Sequence, residues 1–303
     1  MYDIIIIGAG PAGLTSSIYA RRAGKKVLVL EAKSYGGQII NTPNIENYPG
    51  INSISGFDYA TNLYEQAKSL GVLVQFAKVV DIKNYNDYKE VITNKEIYQT
   101  KVVILATGVN NRKLGLENED QLLGKGVSYC ATCDGAFYKN KDVLVVGGGN
   151  TALEDALYLS DICHKVYLVH RRAEFRGEQI IIDKAKEKNN VEFIYNSVIT
   201  KINGVDHLES VTVLNKNNEE RTLMVEGLFI AIGQIPETAF INKLVSVDDY
   251  GYIIAQEDCH TNIDGIYVAG DNRTKELRQL VTATSDGARA AFEAIKYLNN
   301  LEK

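Results

Sequence analysis

The chain has 303 residues, enough for about two domains at the usual ~150 residues each. Its hydrophobic content of 45% and charged content of 23% are those of an ordinary globular protein and exclude long disorder and fibrous repeats. A net charge of −5 argues against a nucleic-acid binder working through bulk positive charge, no apolar run approaches the ~20 residues of a membrane span, and four cysteines are too few for a disulfide scaffold.

The apolar run Ile4–Ile7 begins almost at the first residue and enters a glycine turn, so no room for a signal peptide is expected ahead of it, and a reducing, cytoplasmic setting is expected. Asp3–Ile7 reads as a strand, followed by the G-x-G-x-x-G turn Gly8-Ala-Gly10-Pro-Ala-Gly13. A helical pattern over Leu14–Ala23 and a second strand over Lys26–Leu30 complete a βαβ unit. In such a unit the first glycine makes the tight turn, the second lets the backbone approach a pyrophosphate, and the third lets helix pack on strand. The diphosphate then sits on the helix N-terminus, where free N–H groups and the dipole favour an anion. Glu31 closes the second strand. A carboxylate there accepts hydrogen bonds from a ribose 2′-OH and repels a 2′-phosphate, which suits FAD or NAD.

Next comes the strand Lys101–Leu105, ending in Ala106-Thr107-Gly108, and then Cys130-Ala-Thr-Cys133-Asp134-Gly135. The C-x-x-C has two readings. Half a zinc site needs a second ligand pair, and the only candidates, Cys163-His164 and Cys259-His260, lack a zinc-like spacing. A redox dithiol needs no further ligand. Cys163 and Cys259 read as small buried hydrophobes. Asp134 is either a proton donor for a departing thiolate or an ordinary turn-forming Asp-Gly.

The nucleotide unit then recurs. Asp142–Val146 is a strand, Gly147-Gly-Gly149-Asn-Thr-Ala152 a G-x-G-x-x-A turn, Leu153–Cys163 a helix and Lys165–Val169 a strand. Where the first copy has Glu31, the second has His170-Arg171-Arg172, with Arg176 close behind. Clustered guanidinium groups suit the 2′-phosphate of NADPH, the alternative being a solvated basic turn. The strand Leu228–Ile232 ends at Gly233. Finally Gly265–Ala269 delivers Gly270-Asp271 at the C-terminal end of a strand, where open α/β sheets bind ligands. The fold class is therefore α/β, with two Rossmann-like dinucleotide-binding units.

These residues resemble a known family. GAGPAG at 8–13, GGQ at 36–38, ENYPG at 46–50, ATG at 106–108, CATCDG at 130–135, GGGNTA at 147–152, HRRAEFR at 170–176 and AGDNRTKELRQLVTATSDG at 269–287 follow the order of the bacterial-type, low-molecular-weight thioredoxin reductases. The resemblance runs end to end. It implies a homodimer with one FAD per chain and thioredoxin as the protein substrate, with no nucleic-acid, metal or membrane partner. It also implies an FAD domain of residues 1–113 and 243–303, into which an NADPH domain of residues 114–242 is inserted. Gly8, Gly10, Gly13, Glu31, Gly37, Gln38, Asn47, Asp271, Arg278, Gln279 and Ala283 would touch FAD. Gly149, Thr151, His170, Arg171, Arg172, Arg176 and Gly233 would line the NADPH site. Cys130 and Cys133 would be the redox pair, with Cys133 toward the flavin and Asp134 as proton donor. Two departures stand out: Leu116-Glu117-Asn118 replaces Pro-Gly-Glu near the expected hinge, and Asn272 follows Gly-Asp where a small or apolar residue is usual.

Overall fold

A computed structural model describes residues 1–42 and 44–301. Pro43 and the last two residues of the expected FAD domain, Glu302 and Lys303, lie outside the described residues. The chain divides into two compact units, Met1–Asn110 with Ile235–Lys303, and Asn111–Gln234.

The first unit is a seven-stranded sheet flanked by helices. In chain order it contains β1 (Tyr2–Ile7), α1 (Pro11–Arg22), β2 (Val27–Glu31), α2 (Gly56–Ser69), β3 (Leu73–Phe76), β4 (Val79–Asn84), β5 (Lys89–Thr93) and β6 (Ile97–Leu105). Its closing elements, β17 (Ile266–Val268) and α6 (Leu280–Leu301), come from the end of the chain. β3, β2, β1, β6 and β17 run parallel, while β5 and β4 extend the sheet antiparallel from the first half of β6. The uninterrupted isoleucines of β1 have a packing reason, because both faces of the parallel sheet are covered. Ile4 and Ile6 pack with Leu14 of α1 and Ala290 and Ala294 of α6, whereas Ile5 and Ile7 pack with Val91, Ile241 and Ile253. The register pairs Ile7 with Leu30 and Leu105, and Leu105 with Val268. The residues that follow, Gly8, Glu31, Ala106 and Ala269, are thereby delivered to one sheet edge.

The second unit repeats the plan. It holds β8 (Val127–Ser128), α3 (Ala131–Asp134), β9 (Asp142–Gly147), α4 (Asn150–Ser160), β10 (Lys165–Val169), α5 (Gln179–Lys186), β11 (Val191–Ile194), β12 (Ser197–Asn203), β13 (Ser210–Asn215), β14 (Glu220–Met224) and β15 (Gly227–Ala231). A parallel sheet of order β11-β10-β9-β15-β8 carries α4 and α5 on one face and the antiparallel β12-β13-β14 sheet on the other. Val143 and Val145 face Leu153 and Ala156, while Leu144 and Val146 face Val213 and Leu223. The two chain crossings, β7 (Val109–Asn111) and β16 (Gln234–Pro236), pair as a two-stranded ribbon.

The Leu116-Glu117-Asn118 departure has a local account. Asn118 takes a left-handed conformation (φ 69°), which Asn tolerates, and its amide donates to the Ile202 carbonyl at 3.1 Å. The buried Glu119 carboxylate gathers the amides of Leu114 and Gly115 at 3.0 and 2.8 Å and the Tyr129 hydroxyl at 2.6 Å.

Candidate active site: two nucleotide cradles and a redox disulfide

The first cradle lies at the C-terminal edge of the parallel strands in the first unit. Gly8 has φ 108°, and a Cβ there would lie 2.2 Å from the Ala106 carbonyl oxygen. A Cβ on Gly13 would lie 1.9 Å from the Gly8 carbonyl oxygen. Both positions exclude any other residue. Gly10 is different: a Cβ would meet only Gly37 Cα, at 3.9 Å, so the space above it is open. Gly10 is also the N-cap of α1 and Pro11 opens the helix, so the free amides of the first turn point at that space. Glu31 braces the turn, accepting from the Ala9 and Lys33 amides at 2.8 Å each. A carboxylate has about four lone-pair sites, so capacity remains for a ribose hydroxyl.

The remaining walls come from distant segments. Gly37 approaches Gly10, and the Gln38 amide donates to the Val109 carbonyl. The Asn47 amide donates to the Gln279 side chain at 3.2 Å. Arg278 lies over the Tyr252 ring at 4.2 Å and reaches the Asp271 carbonyl oxygen, and Ala283 is buried on α6. Asp271 Oδ1 is buried with no hydrogen-bond partner in the protein, and burial pushes its carboxyl up, opposed by Lys275 and Arg278. A buried acceptor without a donor is costly unless a ligand supplies one. A hydroxyl-rich chain such as the ribityl of FAD is such a donor, so the residues fit that group. Asn272 does not remove a partner from the site. Its side-chain amide donates to the Leu105 carbonyl at 3.2 Å and to Thr107 Oγ1 at 3.0 Å, tying the segment to the end of β6.

One residue set was not legible in the sequence. Arg273, only 2% exposed, makes two 2.9 Å bonds to Asp286, through Nε and Nη2. Lys275 and the Gly270 amide also reach Asp286, at 2.9 and 3.0 Å. Burial alone would raise the Asp286 carboxyl, but Arg273 and Lys275 hold it below the usual carboxylate range. This network pins the turn that presents Asp271.

The second cradle, in the second unit, uses the same logic. A Cβ on Gly147 would fall 2.3 Å from the Ala231 carbonyl oxygen and 2.6 Å from Ala152 Cβ, whereas one on Gly149 would meet nothing within 4 Å. Gly149 caps α4, and Thr151 is exposed in its first turn. His170 lies beneath the loop: it is buried, its ring would abut any Cβ on Gly148, it stacks on Phe175, and Nε2 is 3.0 Å from the Glu174 carbonyl. Burial lowers its pKa, so it is neutral near pH 7 and acts as a floor for the glycine loop. Arg171, Arg172 and Arg176 are exposed and, among the described residues, form no side-chain hydrogen bond or ion pair. The Arg176 amide donates to the Gly148 carbonyl at 2.7 Å, which ties this arginine loop to the glycine loop. Three uncommitted guanidiniums there fit a 2′-phosphate. Gly233, with φ 105°, turns the chain beside Arg112.

The same unit carries the C-x-x-C pair. Cys130 and Cys133 form a disulfide with Cα atoms 5.3 Å apart, so neither sulfur is a thiolate ligand in this state. Cys163 and Cys259 are buried elsewhere, and burial pushes their thiols up to about 11 and about 12, which makes them inert. Asp134 ends the short helix α3. Its Oδ2 accepts from Ser128 Oγ at 2.6 Å, its Oδ1 is buried without a partner, and burial pushes the carboxyl up, with the Ser128 bond opposing. A carboxyl with a raised pKa holds its proton more readily than an ordinary aspartate and can deliver it to a sulfur anion. Tyr138 in the following turn is pushed up to about 12, first by burial and then by Asp134.

Two nucleotide cradles with a disulfide and an acid in the second unit are the parts of a flavin-linked disulfide reductase. A family model for pyridine nucleotide-disulphide oxidoreductases matches residues 2–287. The chain belongs to that family. It is an oxidoreductase that uses FAD and NADPH. It is 42% identical over 305 residues to a thioredoxin reductase of Listeria monocytogenes, covering 100% of this chain and 96% of that one. Among solved structures it is similar to the thioredoxin reductase of Streptococcus pyogenes, with TM-score 0.95, 42% identity and 99% of each chain covered. The FR-conformation structure of the Lactococcus lactis thioredoxin reductase gives TM-score 0.68 at 41% identity, covering 99% of this chain and 100% of that one.

Proposed function

We propose that this oxidoreductase is an NADPH-dependent thioredoxin-disulfide reductase, passing electrons from NADPH through FAD and the Cys130–Cys133 pair to oxidised thioredoxin. The observation that carries the reading is the closed C-x-x-C disulfide with a half-buried, protonatable aspartate at the end of its helix, in the unit that holds the second nucleotide cradle. Full-length likeness to thioredoxin reductases supports the choice of substrate.

The FAD domain, drawn at residues 1–113 and 243–303, binds the pyrophosphate on the α1 N-terminus at Gly8, Gly10 and Gly13. It binds the adenosine ribose through Glu31 and the ribityl through Asp271, with Gly37, Gln38, Asn47, Arg278, Gln279 and Ala283 as walls. The NADPH domain, drawn at 114–242, binds its pyrophosphate at Gly149 and Thr151 and its 2′-phosphate through Arg171, Arg172 and Arg176. His170 supports the loop from below, and Gly233 shapes the far wall. FAD, when bound, relays the two electrons of the NADPH hydride to the disulfide. The S–S bond then breaks, Asp134 gives its proton to the departing sulfur, and Cys133 is the sulfur on the flavin side. The resulting dithiol exchanges with the disulfide of thioredoxin.

Both the nicotinamide and the disulfide need the flavin in turn, so the inserted domain rotates on its two connections between half-reactions. Solved relatives of nearly equal identity match with TM-scores as different as 0.95 and 0.68, a spread expected of a family that adopts more than one domain orientation. The working form is a homodimer in the cytoplasm. Among the described residues no helix is long and apolar enough to cross a membrane.

The test is reduction of oxidised thioredoxin by the purified protein with NADPH, followed by thiol release. Turnover that needs both cysteines supports the reading. NADPH oxidation with an artificial acceptor but none with thioredoxin would redirect the substrate assignment.

A further inference from the structure

We propose that Ser128 is a positioning residue for disulfide reduction, its one buried hydroxyl holding the acid Asp134 and the Cys130 backbone together. The proposal rests on the disulfide-reductase reading of the site. Ser128 is 2% exposed and sits on β8, whose register pairs it with Phe229 in the parallel sheet. Its Oγ accepts from the Cys130 amide at 3.0 Å and donates to Asp134 Oδ2 at 2.6 Å. A hydroxyl has one proton and two lone pairs, so both bonds form at once. The rival acceptor, the Cys130 carbonyl oxygen, is farther away at 3.4 Å. A rigid strand thus fixes the start of the cysteine helix and the acid at its end.

The arrangement also divides the labour of the carboxyl oxygens. Oδ2 is occupied by Ser128, which leaves the buried, unpartnered Oδ1 to carry the proton. During reduction the S–S bond takes two electrons supplied through NADPH and breaks. The departing sulfur takes the Oδ1 proton and becomes a thiol, while the other sulfur is left as a thiolate that takes the second proton of the dithiol from water. Asp134 becomes a carboxylate already stabilised by the Ser128 donor, and water restores its proton. The serine bond favours the charged carboxylate while burial favours the neutral acid, so the two set the acid strength between them. In the closed state the disulfide sulfurs beside Asp134 do not titrate, and the titratable groups packed on its turn, among the described residues, are two phenols, Tyr138 on the following turn and Tyr158 of α4, which packs on Gly135.

The test compares Ser128→Thr with Ser128→Val, which share a shape and differ in the hydroxyl. The FAD-loaded, disulfide-closed protein is labelled with carboxyl-¹³C aspartate, and Asp134 is assigned with Asp134→Asn. Asp134 is expected to titrate about one pH unit higher in the Val variant than in the Thr variant, because a bond to its charged form is lost. In stopped flow, flavin-to-disulfide transfer is expected to slow about tenfold in Val with NADPH-to-flavin transfer unchanged, and to stay near the parent rate in Thr. Equal titration in the two variants, or equal slowing, would overturn the proposal. If the Val variant does not fold, Ser128→Ala against Thr makes the same comparison. None of these readings uses thioredoxin, so an error in the assigned substrate would show separately.

Discussion

Asp134→Asn removes the proton and keeps the shape. The carboxamide oxygen can still accept from Ser128 Oγ, now 2.6 Å from Oδ2, so the helix of the cysteine pair should hold its place. What is lost is the acid. A general acid contributes about 10²–10⁴-fold to its step, and flavin-to-disulfide transfer should slow by that factor. NADPH-to-flavin transfer draws no proton from Asp134 and should keep its rate. The pH dependence has a definite sign. Burial raises the carboxyl, so Asp134 is protonated over a wider acid range than an ordinary aspartate, and the step should fall as pH rises through that raised pKa. The falling limb should vanish in the Asn variant. Stability changes in the opposite direction to activity. With its folded pKa above its unfolded value of about 3.9, Asp134 stabilises the fold at acid pH and loses that contribution as pH rises toward the folded value. At neutral pH the uncharged asparagine should therefore raise Tm while it slows the enzyme. Anaerobic stopped flow on each half-reaction, together with thermal melts at acid and neutral pH, checks both signs. Equal slowing of the two half-reactions, or a lower neutral-pH Tm, would mean that Asp134 has a structural role only.

Cys133→Ser and Cys130→Ser should each keep FAD and still oxidise NADPH with an artificial acceptor, yet lose thioredoxin reduction in a coupled assay, since either change breaks the disulfide. Arg171→Ala with Arg172→Ala should raise KM for NADPH by about 10²-fold, the low end for two charge-assisted bonds at an exposed site, with FAD content and the NADH reaction unchanged in steady-state kinetics. Asp286→Asn takes the buried carboxylate from Arg273 and Lys275 and leaves Arg273 only the exposed Glu257 carboxylate, 3.2 Å away, which should cost about 3 kcal/mol, the low end for breaking a buried pair. It should also loosen the turn at Gly270, so a calorimetric melt should show a lower Tm and gel filtration a lower FAD content.

Much of this architecture is legible from local rules. The glycine turns and their flanking apolar runs locate β1, β9 and the presence of a helix after each turn, because the constraints on Gly8, Gly13 and Gly147 act within a few residues or on an adjacent strand. Element ends are less legible. The apolar pattern places the first helix at Leu14–Ala23, but it runs Pro11–Arg22, since Pro11 is well suited to the first helical position though not to an apolar stripe. The strand read as Lys101–Leu105 begins at Ile97, because its first half is held by antiparallel β5 and only alternate side chains, Tyr98 and Thr100, are buried, which leaves no continuous apolar run. Long-range pairings left no mark. Nothing local joins Arg273 to Asp286, Glu119 to Tyr129, or Ser128 to Asp134. Ser128 stands two residues before the first cysteine, and that spacing is the one signal that could have drawn attention to it.

The central claim, that electrons from NADPH reach a protein disulfide through FAD and the Cys130–Cys133 pair, is tested most directly by one anaerobic titration followed in the visible spectrum. The purified protein should be yellow, bleach on addition of NADPH, and recover its colour when oxidised thioredoxin is added. The Cys133→Ser protein should bleach and stay bleached. A colourless protein, a flavin that NADPH cannot bleach, or equal recovery in the Cys133→Ser protein would contradict the account.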